Sequence, residues 1–445
     1  MKDLLYSIRS LLIVIFSPLL SLWYIRYWFK VHSDYLPDDK IAYANTLGYT
    51  DKMFYYENEK VKFYLSSEKK IKIRICIAVS AYEDEEIESF NVDSKQQNNQ
   101  ADPKTGCNWE LSFELSLAGY KQGYYKVFLN NEFIITFIVA KQVKKADVLV
   151  IAPVSTWVAY NHFGGQSVYD NYKENKTVHF VSAQRPNLAL TYNPIDNIHD
   201  MPVEINIYKW FESHCNTAII PDYMLETAVP DCKIAVLSYH CEYVSKKMYD
   251  ALRKTKISLI SLGGNQVFWK IKWSDNYQTL EVRKDVTFFE NSLKIGGGWR
   301  HSFQPEDRLL GVRYTEAGIG TFSPYKVTNP THFLYNGLEA RKGELFGEKG
   351  INELGICGDE TDVATLISNV QVEVIAEGLN PKDGELYQNY NGDNKVWDGK
   401  GGGQITYKEE NGRGVLSTGA IQSGSGLGTD KVFTQIISNF IARYL

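Results

Sequence analysis

Three short stretches of this chain hold residues whose types and spacing could do chemistry. The first is an apolar run from Val148 to Val154, broken by Pro153 and read as a covered strand, followed by an expected polar, aromatic loop that carries Trp157, Tyr160, Asn161, His162 and Gly164-Gly165. The second is His240-Cys241-Glu242-Tyr243, placed directly after the apolar run Lys233 to Ser238, and the third is Gly263-Gly264-Asn265. A carboxylate emerging from a buried strand is costly unless a cation, a metal ion or several hydrogen-bond donors offset it, which singles out Glu242. The bland alternative is a carboxylate capping the next helix, and Tyr160 would then be an ordinary packing tyrosine. Cys241 competes as a nucleophile because it follows a strand and precedes a helix. A nucleophile elbow, however, has flanking glycines where this chain has His240 and Glu242. Adjacent residues on extended backbone point apart, so His240 is poorly placed to deprotonate it.

The elements around these residues place them together. Ser245 fits a helix N-cap, with Met248, Ala251 and Leu252 as the apolar stripe behind it, and Ile257 to Leu262 reads as a further strand. Strand, helix and strand in this order predict a right-handed crossover and parallel pairing. Glu242 and Asn265 should then emerge at the same sheet edge as Tyr160, where open α/β sheets bind their ligands.

These residues carry a resemblance. Thr156-Trp-Val-Ala-Tyr-Asn161 with Gly164-Gly165, His240-Cys-Glu-Tyr-Val-Ser245, Gly263-Gly-Asn265 with Trp269, and Gly298-Trp299-Arg300 together resemble the catalytic large-subunit region of N,N-dimethylformamidase and its relatives. Gly48-Tyr-Thr50 and Gly123-Tyr-Tyr125 look like the β-domain that precedes that region. The resemblance implies a glutamine-amidotransferase-like α/β domain and a mononuclear ferric iron held by two tyrosinates and a glutamate, carried here onto Tyr125, Tyr160 and Glu242. Phenols that bind a metal must ionise well below their free pKa of about 10. A hard ferric ion achieves that. The function so implied is hydrolysis of an amide C–N bond in a small substrate. Glu360, in Gly358-Asp-Glu-Thr-Asp362, resembles a further acidic position of the family, with Asp359 or plain surface charge as alternatives. His240 or Glu360 would move a proton to the leaving amine, and Asn161 and Asn265 would donate to the oxyanion. Three other readings stay open: a membrane-tethered binding module for a glycan or peptide, a scaffold of a surface-polymer assembly, and a Cys241 amidohydrolase.

The remaining sequence frames the fold. A chain of 445 residues is long enough for two to three domains. Its formal charge of −5 argues against a nucleic-acid partner. The uncharged run Ser10 to Ile25 lies between Arg9 and Arg26, and with snorkelling arginines Leu4 to Trp28 could cross a membrane. Residues 1–35 are therefore expected to form a single anchor with its linker, of undecided orientation. The six cysteines show neither metal-finger spacing nor disulfide density, favouring a reducing, cytoplasmic side. A homo-oligomer is left open.

Short alternating runs such as Val61 to Leu65, Ile71 to Ile77 and Tyr124 to Leu129 predict an antiparallel β-sandwich over residues 45–142. The doubly wound α/β domain is expected over residues 146–445. In it Thr177 to Ser182 and Thr217 to Pro221 read as strands, and Val203 to His214 as a helix. Gly414 to Ile421 should be a last strand, Ser423 to Gly428 a flexible turn, and Asp430 the cap of a final amphipathic helix.

Overall fold

The computed structural model describes residues 45–165, 167–169, 178–190, 199–227, 229–254, 256–314, 321–364, 370–380, 386–388, 394–396 and 402–445. The anchor expected over residues 1–35 lies outside them. Among the described residues no helix is long and apolar enough to cross a membrane.

The first half of the chain is built from strands β1 (Leu47–Thr50), β2 (Phe54–Tyr56), β3 (Lys60–Ser66), β4 (Ile71–Ala78), β5 (Asp84–Val92), β6 (Phe113–Ser116), β7 (Gly123–Leu129) and β8 (Phe133–Ala140). They make two sheets, ordered β1-β3-β6 and β2-β8-β7-β4-β5. Every pairing is antiparallel except β2 with β8, which is parallel. Alternation explains the layering, since Val61, Phe63 and Leu65 of β3 point inward while Lys60 and Lys62 point out. Strand β5 was not anticipated, because Asp84-Glu-Glu-Ile-Glu-Ser-Phe has no clean apolar face. It pairs with β4 at the sheet's edge, where charged side chains deter further strand addition. The two sheets close over Val61, Phe63, Ile73, Ile75, Val127 and Phe137. Phe54, Tyr124, Ile138 and Ala140 instead join the core of the second half.

That second half begins with β9 (Val148–Ala152), helix α1 (Val154–Tyr160), β10 (Phe180–Ser182), helix α2 (Met201–His214) and β11 (Thr217–Pro221). It continues with β12 (Ile234–Tyr239), β13 (Tyr243–Ser245), helix α3 (Lys246–Lys254), β14 (Ser258–Gly263), β15 (Trp269–Trp273) and β16 (Thr279–Val282). A nine-stranded sheet runs β11-β9-β12-β14, then Arg413–Ser417, and on through four more strands. Its first five strands are parallel neighbours. In chain order those five read 2-1-3-4-5, so the winding reverses between β9 and β12. Ligands of open sheets bind at such a reversal, beyond the carboxyl ends of the strands. All five residues of β9 and all six of β12 are buried, as continuous apolar strands covered on both faces should be.

Two expectations are corrected. The stretch after Pro153, expected to be an aromatic loop, is helix α1. Its exposed N-terminal N–H groups find a partner in the Asp222 carboxylate, which accepts from Ser155 N at 3.0 Å. Val154 and Val158 lie on one face of α1, while Thr156 and Tyr160 lie on the other. The Ser423 to Gly428 turn is a buried 3₁₀ segment, Ile421–Gly426, wedged against α2. Asp430 caps the final helix Lys431–Tyr444 as expected, accepting from Phe433 N.

Gly263, at the end of β14, lies so close to β12 that a Cβ there would overlap the carbonyl oxygen of Tyr239. Gly263→Ala should therefore lower unfolding free energy by about 2 kcal/mol or more, read as a shifted denaturation midpoint. An unchanged midpoint would show that the two strand ends are not in this contact.

Candidate functional site

The polar face of α1 docks on the segment that leaves β12. Thr156 Oγ1 donates to the His240 carbonyl at 2.7 Å and accepts from Glu242 N at 3.2 Å. Tyr239 bends the chain into this segment with a φ of +53°. One turn further along α1, the Tyr160 hydroxyl donates to Glu242 Oε2 at 2.8 Å. Tyr169 reaches the same carboxylate, 3.3 Å from Oε2 and 3.4 Å from Oε1. His240 Nε2 lies 3.3 Å from Oε2, and its Nδ1 donates to the Gly264 carbonyl at 3.0 Å. Because a carbonyl can only accept, the proton on Nδ1 is assigned and Nε2 is left facing the carboxylates. Glu242 itself is 2% exposed.

A second carboxylate stands across His240. Glu360 Oε2 accepts from Asn265 Nδ2 at 2.8 Å and lies 3.9 Å from His240 Nε2, while the Tyr314 hydroxyl is 3.4 Å from Oε1. Burial, added to the charges of Glu242 and Asp359, raises Glu360 to about 8 against the pull of His240. Burial alone would depress His240, but its bond to Glu242 and the charges of both carboxylates outweigh that and hold it at about 9. Tyr160 is pushed well above the usual phenol value, first by burial and then by the charge of Glu242. The ammonium of Lys284 lies 3.4 Å from the centre of the Tyr169 ring. Burial pulls it well below the usual lysine value, with Glu242 and Glu360 resisting.

The structure brings together Tyr160, His240, Glu242, Asn265 and Glu360. It does not bring Tyr125 there. That side chain is fully buried between the two sheets of the first half, stacked on Phe137, with its hydroxyl donating to the Lys121 carbonyl at 2.9 Å. Asn161 holds its own loop together instead of pointing at the carboxylates. It donates to the Pro186 carbonyl and accepts from Phe163 N and Leu188 N. The amide N–H of Asn265 is committed to Glu360, so Asn265 positions that carboxylate, and its buried Oδ1 has no hydrogen-bond partner among the described residues. Cys241 is turned into the core, its Sγ against the carbonyls of Ile151 and Ser238 and its thiol raised well above the usual value by burial. That placement removes the nucleophile reading, since a thiolate needs an exposed, electropositive setting.

Sequence reasoning passed over Tyr169, Tyr243, Lys284 and Tyr314. A signal for Tyr169 existed in Gly164-Gly165, whose φ angles of +80° and +71° turn the chain back. Tyr169 thereby returns to 4.7 Å, ring centre to ring centre, from Tyr160. Its hydroxyl is also bonded to that of Tyr243.

The donor chemistry fits a hard cation. Two phenols and a carboxylate converge, all oxygen donors and all anionic once deprotonated. Among the described residues no three His, Cys, Asp or Glu side chains are grouped as metal ligands, so a cation here would depend on the phenols.

Residues 80–435 match the family described as N,N-dimethylformamidase beta subunit-like, C-terminal, and the chain belongs to that family. No curated protein matches the chain.

Asn161→Ala removes three loop hydrogen bonds in a buried setting without touching Glu242. It should cost about 2–4 kcal/mol of stability in chemical denaturation. A loss below about 1 kcal/mol would mean that Asn161 is not the clamp of this loop.

Proposed function

We propose that this member of the N,N-dimethylformamidase beta subunit-like family hydrolyses the C–N bond of small amides. Its ferric iron would be held by Tyr160, Tyr169 and Glu242, and its second half would have the glutamine-amidotransferase-like arrangement. One observation carries the reading: two phenols and an imidazole converge on a single buried carboxylate where the winding of the sheet reverses. The family match supports the hydrolase, and the strand order 2-1-3-4-5 supports the fold. Tyr169 replaces Tyr125 in the ligand set because it reaches the Glu242 carboxylate, whereas Tyr125 is bonded to Lys121 within its own sheet region.

A ferric ion at these oxygens would supply Lewis acidity, polarising the substrate carbonyl and lowering the pKa of water. The chain's own groups do the rest. Hydrolysis adds water to the carbonyl carbon, breaks the C–N bond and delivers a proton to nitrogen. His240, locked by Nδ1–H on Gly264, presents Nε2 as the atom that passes that proton. Glu360, held by Asn265 and Tyr314, faces the same nitrogen of His240 and can return the proton to it. Near-complete burial of His240 and Glu242 keeps bulk water from screening these charges.

Elemental analysis of the purified chain should find about one iron per molecule, with visible absorption from tyrosinate-to-iron charge transfer. Zinc, or a colourless protein after iron reconstitution, would sink the metal assignment. Glu242→Ala should lose iron and amide hydrolysis together. Tyr169→Phe should alter or abolish the visible band, while Tyr125→Phe leaves it unchanged. His240→Ala should retain iron and lose about 10²–10⁴-fold in kcat. Activity that survives Glu242→Ala would overturn the mechanism, and Cys241→Ser is expected to remain active.

A further inference from the structure

The described residues enclose a cavity away from Glu242. It lies across α1 from that carboxylate, against Val154 and Val158, at the seam where β2 of the first half meets the second. Its volume is about 160 Å³. An apolar cavity of about 150 Å³ holds benzene, so this one takes a group the size of a single ring or a tetramethyl-substituted nitrogen.

The walls are aromatic and come from both halves. Tyr223 and Tyr277 stack at 4.7 Å between ring centres, inclined by 21°. Trp273 is inclined by 66° to Tyr223 at 5.6 Å, and Tyr56 and Phe54 add two more rings to the lining. Tyr223 is only 7% exposed. The charges at the rim are unequal. Lys52 is the only cation in the lining, and its ammonium is spent on Glu59 at 3.0 Å. Asp51 also lines the cavity and makes no ion pair among the described residues; its Oδ1 accepts from the Tyr55 hydroxyl and from Lys62 N. After burial itself, the charge of Glu59 in the lining raises Tyr56, and Glu226 and Asp275, outside the lining, raise Tyr277.

We propose that this cavity binds a small organic ammonium ion, methylated or alkylated at nitrogen. Ring faces attract such a cation through their quadrupoles, and its methyl groups fill apolar space that a bare metal ion or an anion could not. Met53 and Met224 add polarisable contacts. Asp51 supplies the counter-charge. The site stands whether or not the chain hydrolyses amides.

The test uses the full chain and tetramethylammonium chloride, with 3,3-dimethylbutan-1-ol as a neutral tert-butyl comparison and glucose as a hydroxyl-rich one. Calorimetry and ligand-observed NMR should show saturable binding of the cation, about tenfold tighter than that of the neutral alcohol. Tyr277 is partly exposed, so its variants should fold. Tyr277→Ala should weaken the cation about tenfold, and Tyr277→Phe, which keeps the ring face, should leave it within about twofold. The proposal is overturned by equal binding of the neutral alcohol, by glucose in place of the cation, or by no saturable binding at all. It is overturned equally if Tyr277→Ala changes nothing, or if Tyr277→Phe loses as much as Tyr277→Ala.

Discussion

The buried carboxylate of Glu242 is the constraint on which the rest depends. An ionised carboxylate away from water is affordable only with close partners, and losing one such partner typically costs about 3–5 kcal/mol. The fold supplies those partners from distant parts of the chain. Tyr160 and Tyr169 come from α1 and the turn after it, and His240 comes from the end of β12. A backbone contact is needed as well, because Thr156 both accepts from Glu242 N and donates to the His240 carbonyl. The carboxylate therefore fixes how α1 sits on the sheet.

Holding that arrangement bends the backbone where the strands end. Tyr239 and Asn265 adopt φ angles of +53° and +46°, which non-glycine residues rarely take, and both flank the site. Gly263 and Gly264 permit the close approach that this needs: a side chain at Gly264 would strike the backbone of Glu360 and Ile421. The same approach brings Glu360 to Asn265, so the second carboxylate arrives through backbone packing, not through proximity in sequence.

Another buried carboxylate ties the two halves of the molecule together. Glu204 of α2 accepts from Tyr124 of β7 at 2.6 Å and from the Trp157 indole of α1 at 3.1 Å, and it is also bonded to His199. The helix that carries Tyr160 is thus gripped at Trp157 by a network reaching into the first sheet pair. Its Val154 and Val158 meanwhile line the aromatic cavity on the other side. One short helix separates two environments, a polar cluster and an aromatic cage, because residues two apart on a helix face opposite ways.

The sequence by itself determined the elements whose signal is local. Continuous apolar runs marked β9, β12 and β14 as covered strands, alternation marked β3, β4 and β7, and Asp430 with its apolar stripe marked the final helix. It also determined that Glu242, Tyr160 and Asn265 share one sheet edge, since a right-handed crossover leaves no other arrangement. What only the tertiary structure decided depends on long-range contact. The aromatic stretch after Pro153 became a helix because Asp222, far along the chain, meets its N-terminus. Strand β5 formed despite its acidic residues because β4 offered it an edge. Tyr169, and not Tyr125, meets Glu242 because two left-handed glycines fold it back onto Tyr160. Tyr125, on an alternating strand, had to face one side of its sheet, and that side was the core. Residue type and spacing identify groups able to bind or react. Which of them meet is set by backbone turns and packing that no local pattern records.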